Sequence, residues 1–358
     1  MPLSRLDIQD FRNLATARLD FSPRCNLITG ENAAGKTSLL EAIHVLARLR
    51  SFRTQRLETL IREGCEAFQL VARLEEAGRS LPVGLRRGRK ELDIRLGGAP
   101  VRRVSDLAAH FPLVIITADL HRVLEEGPKY RRQFLDWGLF HVEPEFHATW
   151  RQYAQALKQR NACLRQGLAE TQVRIWDAPL LASGGRIHEM RCTYIKELEP
   201  LFAHQAERIL GLTPLALRYA PGWAQRLDYP AALAEALVRD REQGQTRVGP
   251  HRADLQFLQG DQDVRDRLSR GQQKQLLVAL LLAQAELLLR RRDQICQFLV
   301  DDLPAELDAE HQARVLAQLR ELGSQVFITA IDAAALDLRD WPEPARFHVE
   351  HGVVREVV

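Results

Sequence analysis

GENAAGKT, from Gly30 to Thr37, is the stretch of this sequence that decides the fold. An apolar run typical of a buried strand precedes it, and from Gly35 the apolar residues take the spacing of a helix. The full stretch is Gly30, Glu31, Asn32, Ala33, Ala34, Gly35, Lys36 and Thr37, with Ser38 next in the helix. The pattern G-x-x-x-x-G-K-[ST] between a strand and a helix predicts a loop that holds phosphate.

The residue types of this loop indicate ATP and Mg²⁺ as cofactors. Its glycines let backbone N–H groups and the helix N-terminus face phosphate oxygens, Lys36 would reach the β- and γ-phosphates, and Thr37 would bind Mg²⁺. The alternative is a glycine turn that only starts a helix. A chance match in a chain of this length is on the order of one in a hundred, before the strand and helix are required. Nucleotide binding is therefore the preferred interpretation.

A second apolar strand, Phe298 to Asp301, ends in a carboxylate where an ATPase needs one for its metal. Asp301 is the predicted Walker B aspartate and, with Thr37, the predicted metal ligand. Asp302 follows where ATPases of the ABC class carry a glutamate that orients or deprotonates the attacking water. Because aspartate is one methylene shorter, we expect slow hydrolysis. Asp302, Asp301 and Lys36 are the predicted catalytic residues.

The run Leu268 to Lys274 opens a long helix and resembles the ABC signature LSxGQ. A serine near the helix start and a glycine in the first turn suit close contact with an anion. We expect Ser269, Gly271 and Gln272 to meet the γ-phosphate of a nucleotide held by another subunit. Glu306 to Asp308, after the second strand, is similar to the D-loop of the same class.

Further stretches resemble the RecF family of bacterial recombination mediators, and they lie far apart in the chain. They are Asp10 to Asn13, Ser51 to Thr54, Phe134 to Asp136, Ala156 to Ala162, and Gly249 to Arg252. The resemblance implies an ABC head like that of SMC proteins, without their coiled coil. It also implies DNA repair as the function, with ATP-dependent homodimerisation on DNA at single-strand gaps and a weak DNA-dependent ATPase activity. The partners it implies are RecR and RecO.

The chain has 358 residues, enough for one large lobe and a smaller one. Strand and helix patterns predict an α/β fold: an ABC-type P-loop ATPase head, with a mixed sheet plus antiparallel strands, and an inserted mainly helical lobe. The head should comprise residues 1–120 and 245–358, and the lobe residues 121–244. The last strand was expected at 326–329, and no switch histidine follows it.

The formal net charge is only +3, so DNA binding would need clustered cations. Three clusters are candidates: Arg86 to Lys90, Lys129 to Arg132, and Arg290 to Arg292. Lys129, Arg131 and Arg132 were expected to contact phosphate more than the third cluster, which should only end a helix. His251 was weighed evenly between a structural role and one near nucleotide or DNA.

The cysteines are scattered, no export signal is apparent, and the most apolar run, residues 276–283, is too short for a bilayer. A cytoplasmic, nucleoid-associated location without membrane contact is the expectation. Two other functions stay open at this point. An ATPase subunit of a membrane transporter shares the P-loop and the signature, and a small-molecule kinase shares the P-loop but would not need residues 268–272.

Overall fold

Two units make up the chain in the computed structural model, which describes residues 1–76, 78–101 and 103–357. The first unit comprises residues 1–120 and those from 288 onward, and the second comprises His121–Leu287. In its N-terminal part the first unit contains β1 (Leu3–Phe11), β2 (Leu14–Asp20), β3 (Cys25–Thr29), α1 (Lys36–Arg48), β4 (Ala67–Glu76), β5 (Arg79–Gly88), β6 (Leu92–Leu96), β7 (Ala99–Pro100), α2 (Val104–His110) and β8 (Leu113–Ile116).

The second unit is mainly helical and also holds a small sheet. Its elements are α3 (Arg122–Glu125), α4 (Pro128–Val142), α5 (Phe146–Arg165), α6 (Glu170–Arg174), α7 (Asp177–Leu210), β9 (Leu215–Ala220), α8 (Tyr229–Gln243), β10 (Asp254–Gln259), β11 (Gln262–Asp263), α9 (Val264–Arg267) and α10 (Arg270–Arg292), whose last turns belong to the first unit. Strand order in the sheet is β11-β10-β9, and both pairings are antiparallel.

The chain then returns to the first unit. The elements there are β12 (Gln297–Val300), α11 (Leu303–Glu306), α12 (Ala309–Glu321), β13 (Gln325–Ala330), β14 (Ala345–Glu350) and β15 (Val353–Val357). None of the helices in the described ranges combines the length and apolarity needed to cross a membrane.

Two sheets organise the first unit. One is an antiparallel meander of order β2-β1-β4-β5-β6-β7. The other has the order β15-β14-β3-β13-β12-β8, and its pairings from β14 to β8 are parallel. β12 and β13 are buried along their whole length, as expected for central parallel strands covered on both faces. The carboxyl ends of β3, β12 and β13 therefore meet at one edge, where such sheets bind ligands.

The core of the first unit lies between these sheets and α1. Apolar residues of α1, Leu39, Leu40 and Ile43 among them, pack in one cluster with Ile28, Leu299 and Phe327 of the parallel sheet and with the inner face of the meander. At about 25 cal/mol per Å² of apolar surface buried, such side chains contribute roughly 1.5 to 3 kcal/mol each. Burial of this helix fixes where its N-terminus and the loop before it lie.

The domain division differs from the expected one at its second boundary. Residues 245–287 were expected in the head, but their contacts place them in the second unit. The physical reason is strand pairing: β10 pairs with β9 instead of rejoining the large sheet, Leu255 lying opposite Tyr219. The expectation that the last strand is at 326–329 was also wrong, because β14 and β15 follow it and extend the parallel sheet.

Candidate nucleotide-binding site

The predicted phosphate loop joins β3 to α1, and its two glycines take conformations that other residues rarely adopt. Gly30 has φ +146° and Gly35 has φ +125°. A Cβ at Gly30 would lie 2.2 Å from the carbonyl oxygen of Val349, which belongs to β14. Only glycine allows this approach, so the loop is held tightly against the sheet. α1 begins at Lys36, and its N-terminus faces the loop opening.

Lys36 is buried, and its ammonium group lies inside the curve of the loop. The Nζ atom donates hydrogen bonds to the carbonyl oxygens of Gly30 at 2.6 Å and Glu31 at 2.9 Å. Burial lowers the pKa of Lys36, while the negative charges of Asp302 and Asp301 act to raise it. The charge is thus placed beside two acids at the mouth of the loop.

Asp301 connects the loop to the two central strands. Thr37 donates its hydroxyl to Asp301 at 3.1 Å, and the hydroxyl of Thr329 donates to the same carboxylate at 2.8 Å. The hydroxyl oxygen of Thr329 in turn accepts the backbone N–H of Asp302 at 2.7 Å. Hydroxyl and carboxylate oxygens held this close fit the preference of Mg²⁺ for oxygen ligands. Asp302 itself has a left-handed backbone, with φ 54° and ψ 53°.

Two arginines near the loop were not among the predicted site residues. Arg12, in the β1–β2 turn, forms a bidentate pair with the fully buried carboxylate of Glu41 in α1, with both distances 2.9 Å. Arg53 lies 3.9 Å from the same carboxylate, and the hydroxyl of Ser51 donates to it. Both arginines occur in the stretches that resemble RecF, and that was the signal that could have found them. Glu41 therefore fixes two cations beside the phosphate loop.

All these groups surround one cleft of about 690 Å³. Its lining comprises Arg12, Asn13, Glu31, Asn32, Ala33, Gly35, Lys36, Thr37, Ser38, Arg53, Asp301, Asp302 and Thr329. The structure thus brings together the predicted P-loop and Walker B residues, which are more than 260 positions apart in sequence. Cations line one side of the cleft and the two aspartates the other, which suits a nucleoside triphosphate with its metal.

The predicted signature lies in the second unit, at the start of α10. Ser269 and Gln272 form a capping box: the backbone N–H of Ser269 donates to the Gln272 side chain at 3.0 Å, and that of Gln272 donates to the Ser269 hydroxyl at 3.3 Å. Gly271 is exposed, and a Cβ there would meet no atom within 4 Å. The fold of the unit does not require glycine at this position.

The structure assigns internal contacts to most of the Lys129–Arg132 cluster. Arg131 is buried and forms a bidentate pair with Asp254, at 2.6 and 3.0 Å. Arg132 donates to the carbonyl oxygen of Ala253 at 2.8 Å. The expectation that these two arginines contact DNA phosphate is therefore wrong for this fold, because both already tie α4 to β10.

The Arg86–Lys90 cluster differs, since its members lie at the surface of the first unit. Arg86 and Arg87 make ion pairs with Glu91 at 3.6 Å and Glu58 at 3.4 Å. Arg89 and Lys90 are exposed in the turn between β5 and β6. This turn is the better candidate for phosphate contacts.

His251 has a structural position in the second unit. Its Nδ1 atom lies 2.6 Å from the Tyr153 hydroxyl, and its Nε2 atom lies 3.0 Å from the carbonyl oxygen of Thr246. The carbonyl must accept from Nε2, so the tyrosine hydroxyl donates to Nδ1. Burial lowers the pKa of His251 to about 4. The imidazole is thus neutral and used within the unit.

Comparison with known proteins follows from this geometry. The model of the RecF/RecN/SMC N-terminal domain matches residues 2–342. The DNA replication and repair protein RecF of Shewanella baltica strain OS155 is 41% identical over 356 residues, covering 99% of both chains. This chain belongs to the RecF family. The RecF protein of Pseudomonas fluorescens strain SBW25 is 43% identical over 363 residues, covering 99% of this chain and 98% of that one.

Solved structures agree with membership of the RecF family. The recombination mediator protein RecF of the RecFOR pathway, in its ATPrS form, superposes with a TM-score of 0.88 and 26% identity, covering 99% of this chain and 98% of that chain. An Smc head bound to the C-terminal winged-helix domain of ScpA superposes with a TM-score of 0.61 at 14% identity, covering 100% and 97%, and so shares the fold alone. The expected ABC-type ATPase fold is confirmed, and with it the ATP-binding, ATPase class of fold.

Proposed function

We propose that this chain is an ATP-dependent DNA-binding protein of recombinational repair, which uses ATP binding to form a homodimer on DNA and slow hydrolysis to release it. The observation that carries the proposal is the meeting of Lys36, Thr37, Asp301 and Thr329 at the mouth of one glycine loop. Such a set has little use except to hold a metal-bound polyphosphate. The RecF structures with ATP and ATPrS support the same ligand.

Each residue of the cleft takes a role by its chemistry. Lys36 would exchange its bonds with Gly30 and Glu31 for β- and γ-phosphate oxygens, and N–H groups from residues 30–38 would hold the rest. Thr37 and Asp301 would hold Mg²⁺, which offsets phosphate charge when bound. Arg12 and Arg53, fixed by Glu41, supply further positive charge on the phosphate side.

Asp302 is the proposed group next to the attacking water. Its backbone is fixed by the bond to Thr329, and the side chain lines the cleft. A carboxylate there can orient water or accept its proton, but aspartate reaches less far than glutamate. The proposed activity is therefore a weak ATPase, stimulated by DNA, that acts as a switch.

The signature at the start of α10 provides the dimer contact in this proposal. The exposed, capped helix end at Ser269 and the open space at Gly271 leave room for the γ-phosphate of a nucleotide held by a second copy. ATP then favours the dimer because it binds the closed pair better than the single chain.

DNA, RecR and RecO are the proposed partners. With a formal net charge of +3, binding of DNA relies on local cations, of which Arg89 and Lys90 are the exposed candidates. Replacing both with alanine should weaken binding to gapped DNA and lower its salt dependence by about two phosphate contacts. The matched control is Lys129→Ala, and equal effects of the two changes would remove the turn from the proposal.

The dimer is tested with Ser269→Arg, which places a bulky cation where the γ-phosphate of the second copy would lie. ATP binding by the monomer should persist, whereas ATP-induced dimerisation and hydrolysis should both fall. Thr171→Arg on α6, also at an exposed polar position, is the matched control. Light scattering with and without ATP measures the dimer, and intact ATP-induced dimers in the Ser269 variant would refute the arrangement.

The same preparation separates this function from the two alternatives. ATP-dependent binding to gapped DNA supports the repair function. Copurification with membranes would favour a transporter subunit, and phosphoryl transfer to a small acceptor would favour a kinase.

A further inference from the structure

The β14–β15 hairpin, at the end of the first unit, contacts the phosphate loop at two points. At the first, the carbonyl oxygen of Val349 lies where a side chain of Gly30 would have to be. At the second, Gly352 in the hairpin turn donates its backbone N–H to the carbonyl oxygen of Ala34 at 2.9 Å. We propose that Gly352 is a positioning residue for ATP, acting together with Asn13 through the Ala34 carbonyl. The inference rests on the proposed binding of ATP in this cleft.

The Ala34 carbonyl receives two donors from two different elements. Besides Gly352, the side-chain amide of Asn13 in the β1–β2 turn donates to it at 3.1 Å. The same amide nitrogen lies 3.0 Å from the position of a Cβ on Gly35, so Asn13 packs against the next residue as well. The two turns therefore hold one peptide of the loop from its outer side.

Holding this carbonyl sets the direction of a phosphate donor. The C=O of Ala34 and the N–H of Gly35 belong to one planar trans peptide, in which they point in opposite directions. Gly35 lines the cleft. While Asn13 and Gly352 keep the carbonyl turned outward, the N–H of Gly35 is turned towards the phosphate side. A free loop could rotate this peptide at little cost and lose the donor, because both residues flanking the bond are small.

Position 352 accepts only glycine for two separate reasons. Its φ is +77°, in the left-handed region, and a Cβ would lie 2.2 Å from the backbone carbonyl oxygen of Asn13. Alanine would therefore push the hairpin turn away from the β1–β2 turn. Both donors to Ala34 would move at once, because the clash is with the residue that supplies the second one.

The test compares Gly352→Ala with Gly98→Ala. Gly98 has nearly the same backbone, with φ +83°, but a Cβ there meets no atom within 4 Å, so the control carries the same strain without the clash. Titration with a fluorescent ATP analogue and Mg²⁺, below the measured Tm of each variant, should give a Kd about tenfold higher for Gly352→Ala, the loss of one well-made hydrogen bond. Gly98→Ala should bind like the wild type.

Asn13→Ala gives an independent route, which also serves if Gly352→Ala does not fold. It should raise the Kd by a similar factor, because it removes the other donor to the same carbonyl. In the double variant the Kd should rise well short of the product of the two single effects, since both act on one peptide. General loss of stability would give independent effects, so coupling is the readout specific to positioning.

The outcomes separate the two proposals. If the wild type and Gly98→Ala do not bind the analogue, the proposed ATP site itself fails. If they bind and Gly352→Ala and Asn13→Ala bind equally well, Gly352 has no positioning role. If both variants bind weakly but their effects multiply in full, the shared carbonyl is refuted as the means.

Discussion

Replacing Glu41 with glutamine would test how the cations beside the phosphate loop are held. The Glu41 side chain is fully buried and makes two bonds of 2.9 Å to Arg12. Glutamine retains one acceptor but turns its amide N–H₂ towards the other donor, so at least one charge-assisted hydrogen bond is lost. Such a bond contributes about 1.5 to 3 kcal/mol. At about 2 to 4 °C per kcal/mol, we expect the Tm to fall by roughly 3 to 12 °C.

Thermal unfolding and ATP titration measure the two consequences of this change. Because Arg12 and Arg53 would no longer be fixed, the Kd for ATP should rise along with the fall in Tm. Glu58→Gln is the matched control, since Glu58 also pairs with an arginine, Arg87, but at 3.4 Å and with a side chain 42% exposed. Its Tm should stay near that of the wild type. A Tm and an ATP affinity for Glu41→Gln that equal those of Glu58→Gln would refute the reasoning.

Three further outcomes are expected. Lys36→Met should abolish tight ATP binding without unfolding the chain, because the loop backbone remains; titration that matches the wild type would contradict the site. Asp302→Asn should keep ATP bound and slow phosphate release, since asparagine tolerates the left-handed backbone of this position but cannot accept a proton; unchanged turnover would move the role elsewhere. Burial lowers the pKa of His251 to about 4, below its unfolded value of about 6.5, so its contribution to stability is complete above pH 6.5 and is lost as the pH falls towards 4. His251→Gln should therefore reduce the fall in unfolding free energy between pH 7 and pH 5 by about 2 kcal/mol, measured with denaturant, and an unchanged fall would contradict the burial of a neutral ring.

The local elements of the nucleotide site could be predicted because their signals are local. A loop with fixed glycine spacing before a helix, and a strand without polar residues that ends in two aspartates, each carry their own pattern. The cleft depends in addition on long-range contacts. Arg12 reaches it through a turn and a buried glutamate 29 positions away, and the sequence pattern contains neither distance.

Strand pairing was harder to predict than strand position. The run Asp254–Gln259 was expected as a strand, and it is one, but its alternation does not say which strand lies beside it. Likewise the charge of Arg131 was evident, whereas its partner Asp254 lies 123 positions away. A cluster of cations in sequence cannot show which of them the fold has already neutralised.

The placement of β3 between β13 and β14 has a consequence for how the protein is made. β3 is synthesised early, yet the strands on both sides of it are encoded about 300 residues later. At about 5 to 20 residues per second, the ribosome needs roughly 15 to 60 s to supply them. During that time the first unit has a phosphate loop without Asp301, Thr329 or the hairpin behind it, whereas residues 121–287 are complete and free to fold. A nascent chain therefore has no nucleotide site until synthesis is almost finished.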